Sequence, residues 1–235
     1  SCNAGQYGFY MCVDAPLGKY VPSSGSRYAW DASAGYYVDQ TGQSTQTACL
    51  AGTYQSDTGQ TDCDDADAGY YVSTTAQSSQ TACLAGTYQA STGQTSCDDA
   101  DAGYYVPSPA QSSQTACSAG TYQANTGQNS CDDADPGHYV DSALGTGQSS
   151  QTACLTGTYN PNTGSTVSTD CVDADVGYYV DQTGQSSQTV CATGKSTITT
   201  RSTTILQCIP DTDGDGTVDV LDTDDDGDGV SDAND

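Results

Sequence analysis

The chain has 235 residues, and its thirty acidic side chains, every one an aspartate, face only four lysines and arginines for a formal charge of −26. A surface of this sign repels phosphate backbones, which excludes nucleic acid as a partner and leaves cations as the natural one. Leu, Ile, Val and Phe together number only 25, too few for a conventional aliphatic core, and no apolar run approaches the roughly 20 residues that span a bilayer.

Two features argue for order all the same. Twelve cysteines, an even number and without the paired spacing of zinc sites, point to disulfides and an oxidising, extracellular setting. Seventeen tyrosines recur at fixed places and offer local burial where aliphatic side chains are scarce. The chain opens SCNAG without Met or an apolar leader, as expected of a secreted chain whose signal peptide is gone.

Residues 1–48 read as divergent N-terminal repeat units. They carry Cys2 and Cys12 and a Gly-x-Tyr triplet starting at Gly5, Gly18 and Gly35, with Ala29 where a cysteine is expected beside Trp30. Residues 49–208 are the regular part. CLAGTYQSDTGQTDCDDADAGYYV at 49 to 72 returns at 83 and, slightly altered, at 117, a period of 34 residues with a half-period of 17 in the glycine ladder. Three-residue insertions near Leu144 and Val167 leave the pattern intact and belong in turns.

The two halves of the repeat differ. One has a cysteine three residues before its glycine, as in Cys49 before Gly52; the other has a cysteine six before, as in Cys63 before Gly69, followed by an Asp-Ala step. That aspartate is Asp14, Asp31, Asp65, Asp99, Asp133 or Asp173 in the successive copies. Joining neighbours pairs Cys2 with Cys12, Cys49 with Cys63, Cys83 with Cys97, Cys117 with Cys131, Cys154 with Cys171 and Cys191 with Cys208. The alternative, shifted by one, strands Cys2 and Cys208 and closes longer loops; the first scheme is expected, each loop contributing about 3 kcal/mol.

Gly-x-Tyr-Val segments between Thr-Gly-Gln and Asp-Ala turns predict strands of three to five residues, and no stretch has helical apolar periodicity. The expected fold is small, disulfide-rich and mostly β or irregular, an elongated tandem-repeat rod in which each unit touches only its neighbours. These units resemble cysteine-rich repeats of the ephrin-receptor-like type, whose C-x-x-G-T-Y start is shared with modules of the tumour necrosis factor receptor family. Cys83-Leu-Ala-Gly86-Thr-Tyr88, the Thr-Gly-Gln before Cys97 and Gly103-Tyr-Tyr105 carry the resemblance. Ala66 and Ala100 stand where that family has the second cysteine of a pair, so its second disulfide is missing. The resemblance implies an extracellular spacer or recognition module.

Nothing in the repeats reads as catalytic. His138, the single histidine, takes a place held by tyrosine in Tyr70 or Tyr104, and reads as a tolerated swap. Asp64 and Asp65 recur once per repeat, as a catalytic pair would not, and read as turn caps. The tyrosine ladder reads as packing, with a binding surface for a glycan or protein as the alternative. Abundant Ser and Thr permit O-glycosylation.

Residues 209–235 form a third segment. DTDGDGTVDVLDTDDDGDGVSDAND at 211 to 235 holds eleven aspartates and no lysine or arginine. Two copies thirteen residues apart place Asp211, Asp213, Asp215, Asp219 and Asp222, then Asp224, Asp226, Asp228, Asp232 and Asp235, at positions 1, 3, 5, 9 and 12 of a calcium-wrapping loop, with the carbonyls of Thr217 and Val230 at position 7 and glycine at 6. An EF-hand is disfavoured because no amphipathic helix flanks either loop. The segment resembles thrombospondin type 3 repeats, which implies a calcium-wrapped, helix-poor linker on extracellular proteins. The combined expectation is a secreted, non-enzymatic structural protein, a stalk, matrix component or fibre subunit that binds calcium; the alternative is an adhesin or receptor-like ectodomain.

Overall fold

The computed structural model describes residues 1–232. It is helix-poor: apart from three single turns of 3-10 helix, the regular structure among the described residues is two-residue strands, each paired with the next in sequence to make twelve small hairpins. The pairing is antiparallel, as in Thr53 opposite Asp65 and Tyr54 opposite Asp64. The strands are shorter than the sequence predicts because the following residue leaves the ladder. The N–H of Val72 donates to the Gln94 carbonyl and that of Val106 to the Gln128 carbonyl, so each hairpin surrenders its third rung to another.

Contacts divide the chain into two units. One comprises residues 1–101, 105–115 and 126–130; the other comprises 102–104, 116–125 and everything from Cys131 onward. In the first, the core is a column of small residues. Ala15, Ala32, Cys49, Ala66, Cys83 and Ala100, each three residues before a ladder glycine, are fully or almost fully buried, and so are Val21, Val38, Val72 and Val106, three residues after one. Gln55 and Gln89 take the valine place in disulfide-bonded hairpins. Their burial is compensated inside the hairpin: the Gln55 amide donates to the Asp62 carbonyl at 3.1 Å and accepts from the Asp57 N–H at 3.0 Å. The second unit repeats the column with Cys117, Ala134, Cys154 and Ala174, Val140 and Val180, and Asn160 buried between His138 and Ser165.

Three kinds of closure hold the hairpins. Six carry a disulfide, and these are the neighbour pairs Cys2–Cys12, Cys49–Cys63, Cys83–Cys97, Cys117–Cys131, Cys154–Cys171 and Cys191–Cys208. Where the chain has Ala66 in place of Cys49, it has Gln80 in place of Cys63. The Gln80 side chain accepts from the Asp67 N–H and donates to the Asp67 carboxylate, both at 2.6 Å. Gln114 grips Asp101, Gln151 grips Asp135 and Gln188 grips Asp175 in the same way. The hairpin with Ala29 is closed by an ion pair from Lys19 to Asp31. The turn-stabilising aspartates are therefore Asp67, Asp101 and their counterparts. Asp64 and Asp65 are exposed strand residues paired with Tyr54 and Thr53, so they stand on the ladder and not in the turn expected of them.

The insertions fold as 3-10 turns at Ser142–Leu144 and Ser168–Asp170. Tyrosines and His138 on the strands are half-buried: the Tyr104 ring lies over Gly147, and the His138 ring over Gly184. Burial, then the Asp67 and Asp64 charges, pushes the Tyr54 phenol above its ordinary value; burial, then Asp135 and Asp132, does so for Tyr122.

Packing between hairpins is governed by glycine. The Gly52 N–H donates to the Val72 carbonyl at 2.8 Å, twenty residues on, and the loop N–H of Gly93 reaches back to the Ala66 carbonyl at 2.8 Å. A Cβ on Gly52 would strike the Gly93 carbonyl oxygen, two hairpins later. At the level of the 17-residue hairpin, contacts thus skip a neighbour and reach into the next 34-residue repeat. Gly86, at φ +88, makes the same approach to Gly127, whereas Gly145, at φ +83, faces open space. Gly86→Ala is expected to cost about 3 kcal/mol and Gly145→Ala about 1 kcal/mol, a contrast that chemical denaturation of the two variants checks. Replacing Cys83 and Cys97 together by Ala is expected to cost about 3 kcal/mol, against about 1 kcal/mol for Gln114→Ala, read from the same midpoints.

Candidate metal centre

Two clusters of carboxylates close the described chain. The oxygens of Asp211, Asp213 and Asp215 lie within 4.8 Å of one another, and so do those of Asp224, Asp226 and Asp228. The convergence follows from local chain geometry. Each aspartate turns its side chain back onto the backbone ahead: Asp213 accepts from the Asp215 N–H at 3.1 Å and Asp215 from the Thr217 N–H at 2.7 Å. In the second loop Asp226 accepts from the Asp228 N–H at 3.2 Å and Asp228 from the Val230 N–H at 2.7 Å. Alternate carboxylates are thereby drawn to the inside of a tight turn.

The loops share a thirteen-residue register. The Asp219 N–H donates to the Pro210 carbonyl at 3.0 Å and the Asp232 N–H to the Thr223 carbonyl at 2.9 Å, closing both loops over nine residues. Val218, in the first loop, is buried at 1 % exposure, and Asp213 of that loop packs against Gly227 of the second.

The structure brings together positions 1, 3 and 5 of each predicted loop and gives the later positions other partners. Asp219 accepts from the N–H and hydroxyl of Thr212, at 2.7 and 2.9 Å. Asp232 accepts from the Asp225 N–H at 2.9 Å, and Asp222 from the N–H groups of Thr223 and Asp224. Thr217 and Val230 enter through their N–H groups as donors to the triplets. Asp235 lies outside the described residues.

Three carboxylates within one turn repel one another unless a cation joins them. The donor set is all oxygen, hard in character, and it fits a divalent ion. One atom adds to this: Asp224 Oδ1 is buried with no hydrogen-bond partner, an acceptor withdrawn from water and left unsatisfied by protein. Within the second loop, a hydrogen bond with Asp232 and the Asp232 charge push the Asp225 carboxyl above its ordinary value.

His138 has Nδ1 3.3 Å from the Pro136 carbonyl oxygen and sits among hairpin residues. Six disulfides fit an extracellular protein, and no helix among the described residues is long and apolar enough to cross a membrane. What the sequence reading missed is the buried Gln55 and Gln89 and the Gln–Asp grip; the invariant spacing of Gln80, Gln114 and Gln188 from their glycines was the available signal. No protein-family model and no curated protein matches the chain.

Asp226→Asn is expected to weaken divalent-ion binding by the full chain roughly tenfold, about 1.4 kcal/mol. Asp170→Asn, which touches only the backbone N–H groups of Thr166 and Val167, should leave it unchanged. Calorimetric titration of both variants checks this.

Proposed function

We propose that this chain is a secreted, non-enzymatic structural protein: a disulfide-stapled repeat serving as a cell-surface stalk, matrix component or self-assembling fibre subunit, with a C-terminal segment stabilised by calcium. The observation that carries the reading is repetition. The same hairpin recurs twelve times among the described residues, its closures varying and its backbone constant, and the one departure is the pair of carboxylate loops. A scaffold built for length and resistance needs identical joints, and covalent staples in six of the twelve hairpins hold it without a large core.

Calcium is the cation assigned to the loops because it accepts irregular, oxygen-rich coordination and tolerates water in its shell. Each triplet supplies three carboxylates, the carbonyls of Thr217 and Val230 are further donors, and the orphaned Asp224 Oδ1 gains a partner. Calcium at a junction between copies would lock an open, head-to-tail assembly.

A second reading, an adhesin or receptor-like ectodomain that takes a glycan or protein on its tyrosines, is supported by Tyr10 and Tyr28, exposed at 94 % and 77 %. Electron microscopy of the unreduced protein separates the two. Filaments in millimolar calcium that dissociate in chelator are expected of the fibre subunit; single particles in both conditions would move the assignment to a stalk or adhesin. Calorimetric titration of the full chain should show calcium heat, and limited proteolysis should show the tail protected in calcium. Neither appearing at millimolar calcium would overturn the calcium assignment.

A further inference from the structure

Three of the six disulfide hairpins share a groove. In the second unit it has a volume of about 420 Å³ and is lined by Tyr139, Leu155, Thr158, the Cys154–Cys171 bridge, Asp173 and Arg201. In the first unit the same groove recurs at about 320 Å³ beside Tyr37, Leu50, Thr53 and Cys63, and at about 250 Å³ beside Tyr71, Leu84, Thr87 and Cys97. Leu50, Leu84 and Leu155 are 71 %, 72 % and 63 % exposed, large apolar side chains held in water at one equivalent place.

On the strand opposite each groove's threonine stands an aspartate, Asp65 opposite Thr53, Asp99 opposite Thr87 and Asp173 opposite Thr158, and Asp173 itself lines its groove. Across the six copies, this aspartate meets the chain's own donors where it has them. Asp14 accepts from the Gln6 amide at 3.0 Å, Asp31 from Lys19, and Asp173 lies 3.8 Å from Arg201 Nε. Two of only four cationic side chains in the protein are spent on this one position.

Arg201 shows what the others lack. Its carbonyl approaches Gly157 as the carbonyls of Gly93 and Gly127 approach Gly52 and Gly86, so the three loop residues are equivalent. A Cβ on Gly93 would lie 3.4 Å from Asp65 Oδ1, and one on Gly127 3.5 Å from Asp99 Oδ1. Where the Gly157 hairpin sends a guanidinium to its aspartate, the Gly52 and Gly86 hairpins have glycine in the equivalent loop, an open groove and a carboxylate that no lysine or arginine meets.

We propose that the grooves at Leu50–Asp65 and Leu84–Asp99 each receive an arginine side chain from a basic, extended segment of a partner polypeptide, in the manner in which Arg201 covers the Leu155–Asp173 groove. The alkyl stem lies on the leucine and tyrosine, and the guanidinium meets the carboxylate. The formal charge of −26 draws such a segment in. An exposed ion pair contributes little by itself, so each groove binds weakly and the affinity of a longer segment comes from occupying several. This surface is independent of the acidic tail.

The test is amide NMR of the isotope-labelled full chain, titrated with a blocked triarginine peptide at physiological salt. Shifts are expected at Thr53, Asp65 and Gly93 and at Thr87, Asp99 and Gly127. They should be lost in the Asp65→Asn, Asp99→Asn double variant and retained in Asp57→Asn, Asp181→Asn, which removes the same charge from exposed sites outside the grooves. Arg201→Gly should add a third responsive set at Thr158 and Asp173. Residue 201 already holds φ +62, which glycine adopts freely, so that variant keeps the fold. Shifts spread over all acidic surfaces and weakened equally by both double variants, or no new response in Arg201→Gly, would overturn the proposal and leave only a diffuse electrostatic field.

Discussion

The approach of one backbone to another at glycine is the constraint on which the rest depends. A ladder glycine gives its N–H to a carbonyl twenty residues on and leaves no room for a Cβ beneath the loop two hairpins later. With so little aliphatic surface, hydrogen bonding between hairpins has to be complete, because each buried peptide group left alone costs free energy that no large core offsets. Glycine, alanine and half-cystine on one side, valine and glutamine on the other, are the residues thin enough to let that backbone mesh close.

Given the mesh, each hairpin still needs its two ends tied, and the chain uses three chemistries for one task. A disulfide constrains the unfolded state; the glutamine side chain imitates a backbone rung, taking an N–H and giving one to a carboxylate; the Lys19–Asp31 pair does so with charge. Alternating covalent and noncovalent closures places a staple within one hairpin of nearly every joint. The first unit departs from this where the hairpins of Gly18 and Gly35 follow each other without a disulfide.

Much of this was legible in the residues. The cadence of seventeen came from glycine and tyrosine, the neighbour pairing from cysteine parity, and the triplets Asp211, Asp213, Asp215 and Asp224, Asp226, Asp228 from alternate spacing before a glycine. The partners between hairpins were not legible, for a reason of symmetry. In a periodic chain any contact rule that works at one offset looks equally good one period further, so Gly52 could not be assigned to Gly93 over the equivalent Ala76 in advance. Strand length failed likewise, because Val72 and Val106 suit a longer strand and only the competing acceptors Gln94 and Gln128 draw their N–H groups away. In the tail, Asp219 and Asp232 match ligand positions by number yet are claimed by Thr212 and Asp225, whose nearer donors the spacing rule ignores.

The thinness of the core has a thermal consequence. What unfolding exposes here is mostly peptide and amide, with a methyl, isopropyl or half-cystine group and part of a tyrosine ring per hairpin, and the hydration of polar surface lowers the heat capacity that apolar surface raises. The polar contribution offsets more of the apolar one than in an oil-rich fold, so the enthalpy of unfolding changes less with temperature and the stability curve is a broader, shallower arch. A fold held by crosslinks and backbone hydrogen bonds keeps its strength in the cold, where proteins that depend on large oily interiors lose theirs.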